Sequence, residues 1–262
     1  MKSLLIAGLV LALFAPASAL AQNTFDGTWK TDPASIQDTG KPITVTLKDG
    51  VFHCDCDNPA VNVKADGKDH PTAGHIGYDT SSVEVVNNNK LHMIEKKAGK
   101  VVGDSTLTAS ADGGTVTNEF TDTSGSSPVT GKVVFERVGK AMPGSNLTTG
   151  VWKLKNIDNY SDNALTFTYK IDGNTVNFKD STGDSYTAMM GGKAVPVHET
   201  TNTHATVSVL KVGKNGMRET YMHDGKPTST VTMTLSDDGK SMKSIWHNLR
   251  TGRSGSSMAT RQ

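Results

Sequence analysis

FDGTWK (residues 25–30) and TTGVWK (residues 148–153) are two copies of one short pattern, Gly-x-Trp-Lys, and their tryptophans lie 123 residues apart. A second pair of segments, TLTASADGGTV (residues 106–116) and TMTLSDDGKSM (residues 232–242), repeats at an offset of 126. Further matches follow in the same order along the chain. Because the order is kept while the offset changes by only a few residues, the sequence predicts an internal duplication with short insertions in loops.

Within each half, apolar and polar residues alternate, as in ITVTLKDGVFHC (residues 43–54) and LTFTYKIDGNTVNF (residues 165–178). A period of two predicts β-strands with one buried face, and the Asp-Gly pair inside each stretch predicts a tight hairpin. We therefore expect about eight antiparallel strands in each half. Closing such a meander into an up-and-down barrel removes its exposed edges, and a sandwich is the alternative.

The fold class predicted from these patterns is all-β, with two tandem antiparallel barrels. The repeat assigns the first barrel to residues 22–138 and the second to residues 150–262. Residues 139–149, which contain Gly, Pro and Ser, are predicted to link them.

Residues 1–21 have the features of an export signal: the basic Lys2, an apolar run over Leu4–Phe14, and small residues that allow cleavage after Ala19 or Ala21. The apolar run is shorter than the ~20 residues that span a bilayer. We expect the mature chain to be exported to the periplasm or the extracellular space, without a transmembrane segment.

Charge argues against two classes of partner. Removal of the signal segment takes one lysine and no acidic residue, which leaves 26 of the 27 basic side chains against 26 acidic ones. A balanced charge provides no electrostatic basis for binding nucleic acid or an anionic lipid surface. We expect neither partner.

A tryptophan in Gly-x-Trp on the first strand, with an arginine near the end of the last strand, resembles the pattern of the lipocalin and calycin group of barrels. The arginines follow their tryptophans by 108 and 109 residues in the two halves. The resemblance implies that each indole closes one end of a barrel and that the guanidinium of the same half lies across it, a contact worth ~0.5–2 kcal/mol. The barrel-closing residues are then Gly27, Trp29 and Arg137 in the first half, and Gly150, Trp152 and Arg261 in the second.

The same resemblance extends to exported bacterial proteins and implies a function. Lipocalin-like barrels hold a small apolar or amphipathic ligand in their open end, so such a ligand is the expected partner, with no cofactor. Barrel interiors can also be filled by side chains, and the sequence leaves both states open.

Both cysteines of the chain lie in one segment, HCDCD. Because an exported chain meets an oxidising compartment, the first interpretation is a Cys54–Cys56 disulfide, which requires the chain to bend there. The alternative is a metal site in which the two thiolates are joined by His53, His70 and His75.

The second half lacks the cysteines and carries Asn177 and Lys179 at the aligned positions. It holds seven of the ten methionines instead. Methionine suits either an adaptable ligand cavity or ordinary core packing.

No nucleophile with a nearby base, and no pair of carboxylates, can be assigned to one site from the sequence. We therefore expect a binding protein without catalytic residues. The alternatives are a structural or interaction protein of the cell envelope, whose protein partner is unknown, and a metal or thiol-redox protein that uses Cys54 and Cys56.

Overall fold

A computed structural model of the chain describes residues 25–141, 145–199 and 204–262. The predicted export signal, residues 1–21, lies outside them. The described chain forms two nearly closed, antiparallel, ten-stranded barrel-like sheets, as the sequence pattern predicted for the fold class. Within the described ranges, no helix has the length and apolarity needed to cross a membrane.

The described ranges contain twenty strands and one four-residue helix. In chain order they are β1 (Gly27–Asp38), β2 (Ile43–Lys48), β3 (Val51–Cys54), β4 (Val61–Lys64), β5 (His70–Pro71), β6 (Thr80–Asn87), β7 (Lys90–Lys97), β8 (Lys100–Ala109), β9 (Thr115–Asp122), β10 (Val129–Val138), β11 (Gly150–Tyr160), α1 (Asp162–Leu165), β12 (Thr166–Asp172), β13 (Thr175–Asp180), β14 (Ser185–Met189), β15 (Val195–Pro196), β16 (Ala205–Val212), β17 (Gly216–His223), β18 (Lys226–Leu235), β19 (Ser241–Asn248) and β20 (Ser254–Arg261).

One sheet contains β2 to β11 and is called the N-barrel; the other contains β1 and β12 to β20 and is called the C-barrel. Each has ten strands where about eight were expected. Two of the twenty, β5 and β15, are only two residues long and end in proline. Proline has no N–H to donate to a ladder, so these strands remain short edge pieces.

The first strand of each half lies in the barrel of the other half. Strand β1 pairs with β12 and β20, so that Trp29 lies opposite Arg261. Strand β11 pairs with β10 and β2, so that Trp152 lies opposite Arg137. The predicted partition of the strands between the two barrels is therefore wrong at these two strands.

The N-barrel is a continuous segment, residues 43–160, and the C-barrel is formed by residues 27–38 together with 166–261. Residues 139–149 do not join two barrels, because they connect the adjacent antiparallel strands β10 and β11. The chain passes between the barrels at residues 39–42 and 161–165 instead. Strand β11 pairs with β10, which directly precedes it in the chain, and consecutive strands are commonly neighbours in a sheet.

Short bridges bring the edges of each sheet together. In the N-barrel, Asp66 bridges Glu84, and the Gly67 N–H donates to the Val83 carbonyl oxygen at 2.9 Å. In the C-barrel, the Gly191 N–H donates to the Val209 carbonyl oxygen at 2.7 Å. These bonds pair backbone groups that an open edge would leave exposed.

Candidate functional site: the interior of the N-barrel

An arginine stacks on a fully buried tryptophan at one end of each barrel. The Arg137 guanidinium carbon lies 4.2 Å from the ring centre of Trp152, and that of Arg261 lies 4.5 Å from the ring centre of Trp29. The predicted partners within each half, Trp29 with Arg137 and Trp152 with Arg261, are wrong because β1 and β11 have exchanged barrels. Each arginine receives the equivalent tryptophan from the other half.

The glycine of each Gly-x-Trp motif makes room for this arginine. A Cβ on Gly150 would lie 2.1 Å from Nη1 of Arg137, and a Cβ on Gly27 would lie 2.8 Å from Nη1 of Arg261. Gly27 also has a φ of +125°, which side chains rarely adopt. The motif therefore encodes a space for the guanidinium beside the indole.

Cys54 and Cys56 are joined by a disulfide, with their Cα atoms 5.2 Å apart. Strand β3 ends at Cys54, and the chain turns immediately after it, which brings the two residues closer than in a flat strand. Both cysteines line the interior of the N-barrel. The disulfide therefore forms part of the wall of that interior.

The proposed metal ligands do not come together. His53 bonds Asn62 at 2.7 Å, His70 bonds Asp66 at 2.8 Å, and His75 bonds Asp57 at 2.8 Å. Strand alternation also directs His53 to the face opposite Cys54. Among the described residues there is no group of three or more His, Cys, Asp or Glu side chains that could hold a metal ion, so the metal-site prediction is wrong.

Aromatic and methionine side chains fill the C-barrel. Tyr169, Phe178 and Tyr186 lie side by side on β12, β13 and β14, with adjacent ring centres 5.2 Å apart. Met217 and Met242 are completely buried beside them. Met217, Met233 and Met242 thus serve core packing, whereas Met189 and Met258 are exposed.

The same row of the N-barrel carries much smaller side chains. Gly27 faces Tyr169 in the C-barrel and Gly150 faces Val45 in the N-barrel, so Val45 takes the place of Tyr169. Cys54 and Val61 continue this row. The structural equivalent of Cys54 is therefore Phe178, not Asn177, and the predicted alignment was wrong by one residue.

A cavity of about 380 Å³ lies inside the N-barrel, and Val45 and Cys54 of this row line it. Its closed end is formed by Trp152 and Thr148, which are 2% and 0% exposed. The Trp152 indole N–H donates to the Thr148 carbonyl oxygen at 2.9 Å, so no indole donor is left unpaired. The apolar part of the wall includes Ile43, Val45, Phe52, Met93, Leu107, Val116 and Phe135.

Two carboxyl groups lie at the other, open end of the cavity. Glu95 on β7 and Asp122 on β9 are both paired with Gly103 on the intervening strand β8. Gly103 leaves the space between them free, because a Cβ at that position would lie 3.0 Å from Oε2 of Glu95. The result is an acidic gap on the inner face of the barrel.

The Glu95 carboxyl is mostly buried, and no hydrogen bond or ion pair reaches it from the part of the chain that the structure describes. Burial, followed by the nearby charges of Asp57 and Asp122, raises its pKa from 4.5 to about 7. The Asn118 Oδ1 atom, also in the cavity wall, is buried without a hydrogen-bond partner among the described residues. The cavity therefore contains acceptors that lack donors.

The loop beside the cavity is held together by Asp57. Its carboxylate accepts hydrogen bonds from His75 at 2.8 Å and from the Tyr78 hydroxyl at 3.4 Å. His75 and Tyr78 also stack, with ring centres 4.4 Å apart. Asp57 is therefore already partnered, in contrast to Glu95. Burial and the charges of Glu95 and Asp57 raise the pKa of Tyr78, which stays a neutral donor.

The C-barrel also buries a carboxyl group but satisfies it fully. Glu219 accepts hydrogen bonds from the hydroxyls of Tyr169, Tyr186 and Tyr221. Burial raises the pKa of Glu219, and the three hydroxyls oppose that rise. Met217 on β17 and Leu91 on β7 hold equivalent positions in the two barrels. Four residues further along the same strands, Tyr221 is therefore the equivalent of Glu95. The N-barrel thus has a bare carboxyl where the C-barrel has a tyrosine.

Sequence reasoning identified neither Glu95 nor Asp122. The signal was present in the alternation of LHMIEK, where Glu95 follows Leu91 and Met93 on the buried face. A charged residue at an inward position of a strand is the pattern that indicates such a group. Comparison with protein-family models and with curated protein sequences finds no match to this chain.

Proposed function

We propose that this exported, lipocalin-like chain binds a small amphipathic molecule inside the N-barrel and acts as a binding protein without catalysis. The observation that supports the proposal is the cavity of about 380 Å³, closed by Trp152 and lined by apolar side chains. Small-molecule sites in proteins have volumes of ~300–1,000 Å³, predominantly apolar walls and a few polar groups. The cavity meets each of these criteria.

The contrast between the two barrels supports a role for the empty space. A lumen that only needed to be stable could carry the aromatic row found in the C-barrel, since both barrels share one architecture. A cavity in the N-barrel removes packing contacts and thereby lowers the stability of the fold. An occupant that restores those contacts accounts for the difference between the two interiors.

Titration with N-phenyl-1-naphthylamine, a neutral dye that fluoresces in apolar surroundings, tests the proposal. We expect one dye per chain to bind and native mass spectrometry to show the complex. Val45→Phe puts into the cavity the kind of ring that Tyr169 provides in the C-barrel, and we expect it to abolish binding. Thr46→Phe is the matched control, because it adds the same ring to the outer face of the same strand.

Circular dichroism confirms that each variant is folded before titration. Dye binding that survives Val45→Phe, or that Thr46→Phe reduces equally, would place the dye outside the cavity and overturn the proposal. Failure of the wild-type chain to bind the dye or any ligand of the octyl series described below would overturn it as well.

A further inference from the structure

We infer that the ligand of the N-barrel is an organic cation, an amphipathic amine whose ammonium group lies between Glu95 and Asp122 at the open end of the cavity. The inference rests on the proposed function and adds the chemical class of the ligand. It follows from the polarity of the cavity along its length, from the position of the two carboxyl groups, and from the charges of its lining.

The cavity is apolar at one end and acidic at the other. Strand β9 shows this direction directly, since Val116 lies near the closed end and Asp122 near the open end, with Asn118 between them. Strand β7 runs the same way from Leu91 to Glu95. A molecule that fills this space must place a hydrocarbon body against Trp152 and a polar head at the carboxyls.

Among the described residues, the charged side chains of the lining are all acidic: Glu95, Asp104 and Asp122, with no Lys, Arg or His. Asp104 directs its carboxylate to His92 on the outer face, at 3.0 Å, so the other two remain for the interior. A carboxylate or phosphate head would meet like charge in a poorly solvated site, which is strongly unfavourable. The lining therefore excludes an anionic amphiphile.

The gap above Gly103 suits an ammonium group. Glu95 and Asp122 flank it in one row of the sheet, and Asp122 uses Oδ1 to accept the Ser124 N–H at 2.7 Å. An ammonium group has three donors and no acceptor, so it can bond both carboxylates. The unpartnered Asn118 oxygen adds a third acceptor deeper in the cavity. Donors are what this end of the cavity lacks.

Three ligands with the same eight-carbon chain test the inference at pH 8: octylamine, 1-octanol and octanoate, measured by displacement of the neutral dye and by calorimetry. We expect octylamine to bind at least about tenfold more tightly than 1-octanol, with charge-assisted hydrogen bonds as the cause. Octanoate should bind most weakly. Glu95→Gln and Asp122→Asn should each remove most of the amine preference and leave 1-octanol affinity within about threefold.

Asp104→Asn is the matched control, because it removes an acidic charge from the outer face of the intervening strand. Equal affinity for octylamine and 1-octanol, or a preference lost equally in Asp104→Asn, would overturn the amine assignment and leave the proposed function intact. Tighter binding of octanoate than of octylamine would also overturn the amine assignment and leave the proposed function intact. Failure of the dye and of all three ligands to bind would overturn both.

Discussion

Replacing Glu95 with glutamine should remove a pH dependence from the stability of the ligand-free protein. The pKa of this carboxyl is raised from 4.5 to about 7, mainly because burial disfavours its charged form. At ~1.4 kcal/mol per unit, the difference amounts to about 3 kcal/mol. The raised value means that the native state holds the proton more tightly than the unfolded state does.

The sign of the effect follows from that preference for the proton. The contribution of Glu95 to stability is fully present below pH 4.5 and is lost as the pH rises through 7. Wild-type protein should therefore lose about 3 kcal/mol from this group between pH 4.5 and pH 8. Glu95→Gln keeps the shape and lacks the charge, so at pH 8 it should be the more stable protein.

Urea unfolding at a series of pH values measures the difference, and hydrogen exchange in peptides from β7, β8 and β9 assigns it to the N-barrel. Glu84→Gln serves as the control, since that glutamate is exposed on the neighbouring strand β6. The contributions of other titrating groups to the free energy of unfolding cancel, because each variant is compared with wild type at the same pH. Parallel curves for wild type and Glu95→Gln would refute the reasoning, since they would mean that the carboxyl is solvated or paired.

Three further predictions concern the rest of the fold. Gly150→Ala would place a Cβ 2.1 Å from the stacked arginine, and we expect a loss of about 1–3 kcal/mol, measured by calorimetry. Tyr221→Phe removes one of the three hydroxyls that bind Glu219 and should cost about 1–3 kcal/mol in urea unfolding. Residues 41–161 contain all ten strands of the N-barrel, so this fragment expressed alone should give the circular dichroism spectrum of a folded β-protein. Residues 22–138 lack β11 and should not fold. The opposite result would contradict the strand exchange.

The sequence allowed the fold class to be predicted because its determinants are local. Alternating residues define strands, and Asp-Gly turns define hairpins, without reference to distant parts of the chain. The duplication was recognisable for the same reason. The Cys54–Cys56 bond required only that two neighbouring residues be brought together by a turn.

The exchange of β1 and β11 could not be predicted because the duplication makes the two strands equivalent. Both carry Gly-x-Trp, and both barrels offer the same kind of arginine, so local preferences support either pairing equally. The two arrangements differ in which strands β1 and β11 pair with. Those pairings, such as that of β10 with β11, are tertiary contacts and leave no pattern in the sequence.

The cavity was missed because of a single-residue error in the alignment. An offset of 123 places Cys54 against Asn177, whereas the ladders place it against Phe178. Since successive side chains of a strand face opposite sides, this error compares an inward residue with an outward one. The ladder registers instead pair Tyr169, Phe178 and Tyr186 of the C-barrel with Val45, Cys54 and Val61 of the N-barrel, and this difference in size indicates which interior contains a cavity.

The exchange also explains how an open barrel can be maintained in this chain. The N-barrel is an insertion between β1 and β12, two strands that are hydrogen-bonded to each other in the C-barrel. Because the densely packed C-barrel fixes both ends of the insertion, it reduces the conformational freedom that the N-barrel loses on folding. Hydrogen bonds attach the two barrels further: the Arg250 carbonyl oxygen accepts the Asn58 side-chain N–H at 2.6 Å, and the Thr182 carbonyl oxygen accepts the Ser126 N–H at 2.7 Å. The C-barrel thus stabilises the N-barrel and offsets the packing contacts that the N-barrel lacks around its cavity.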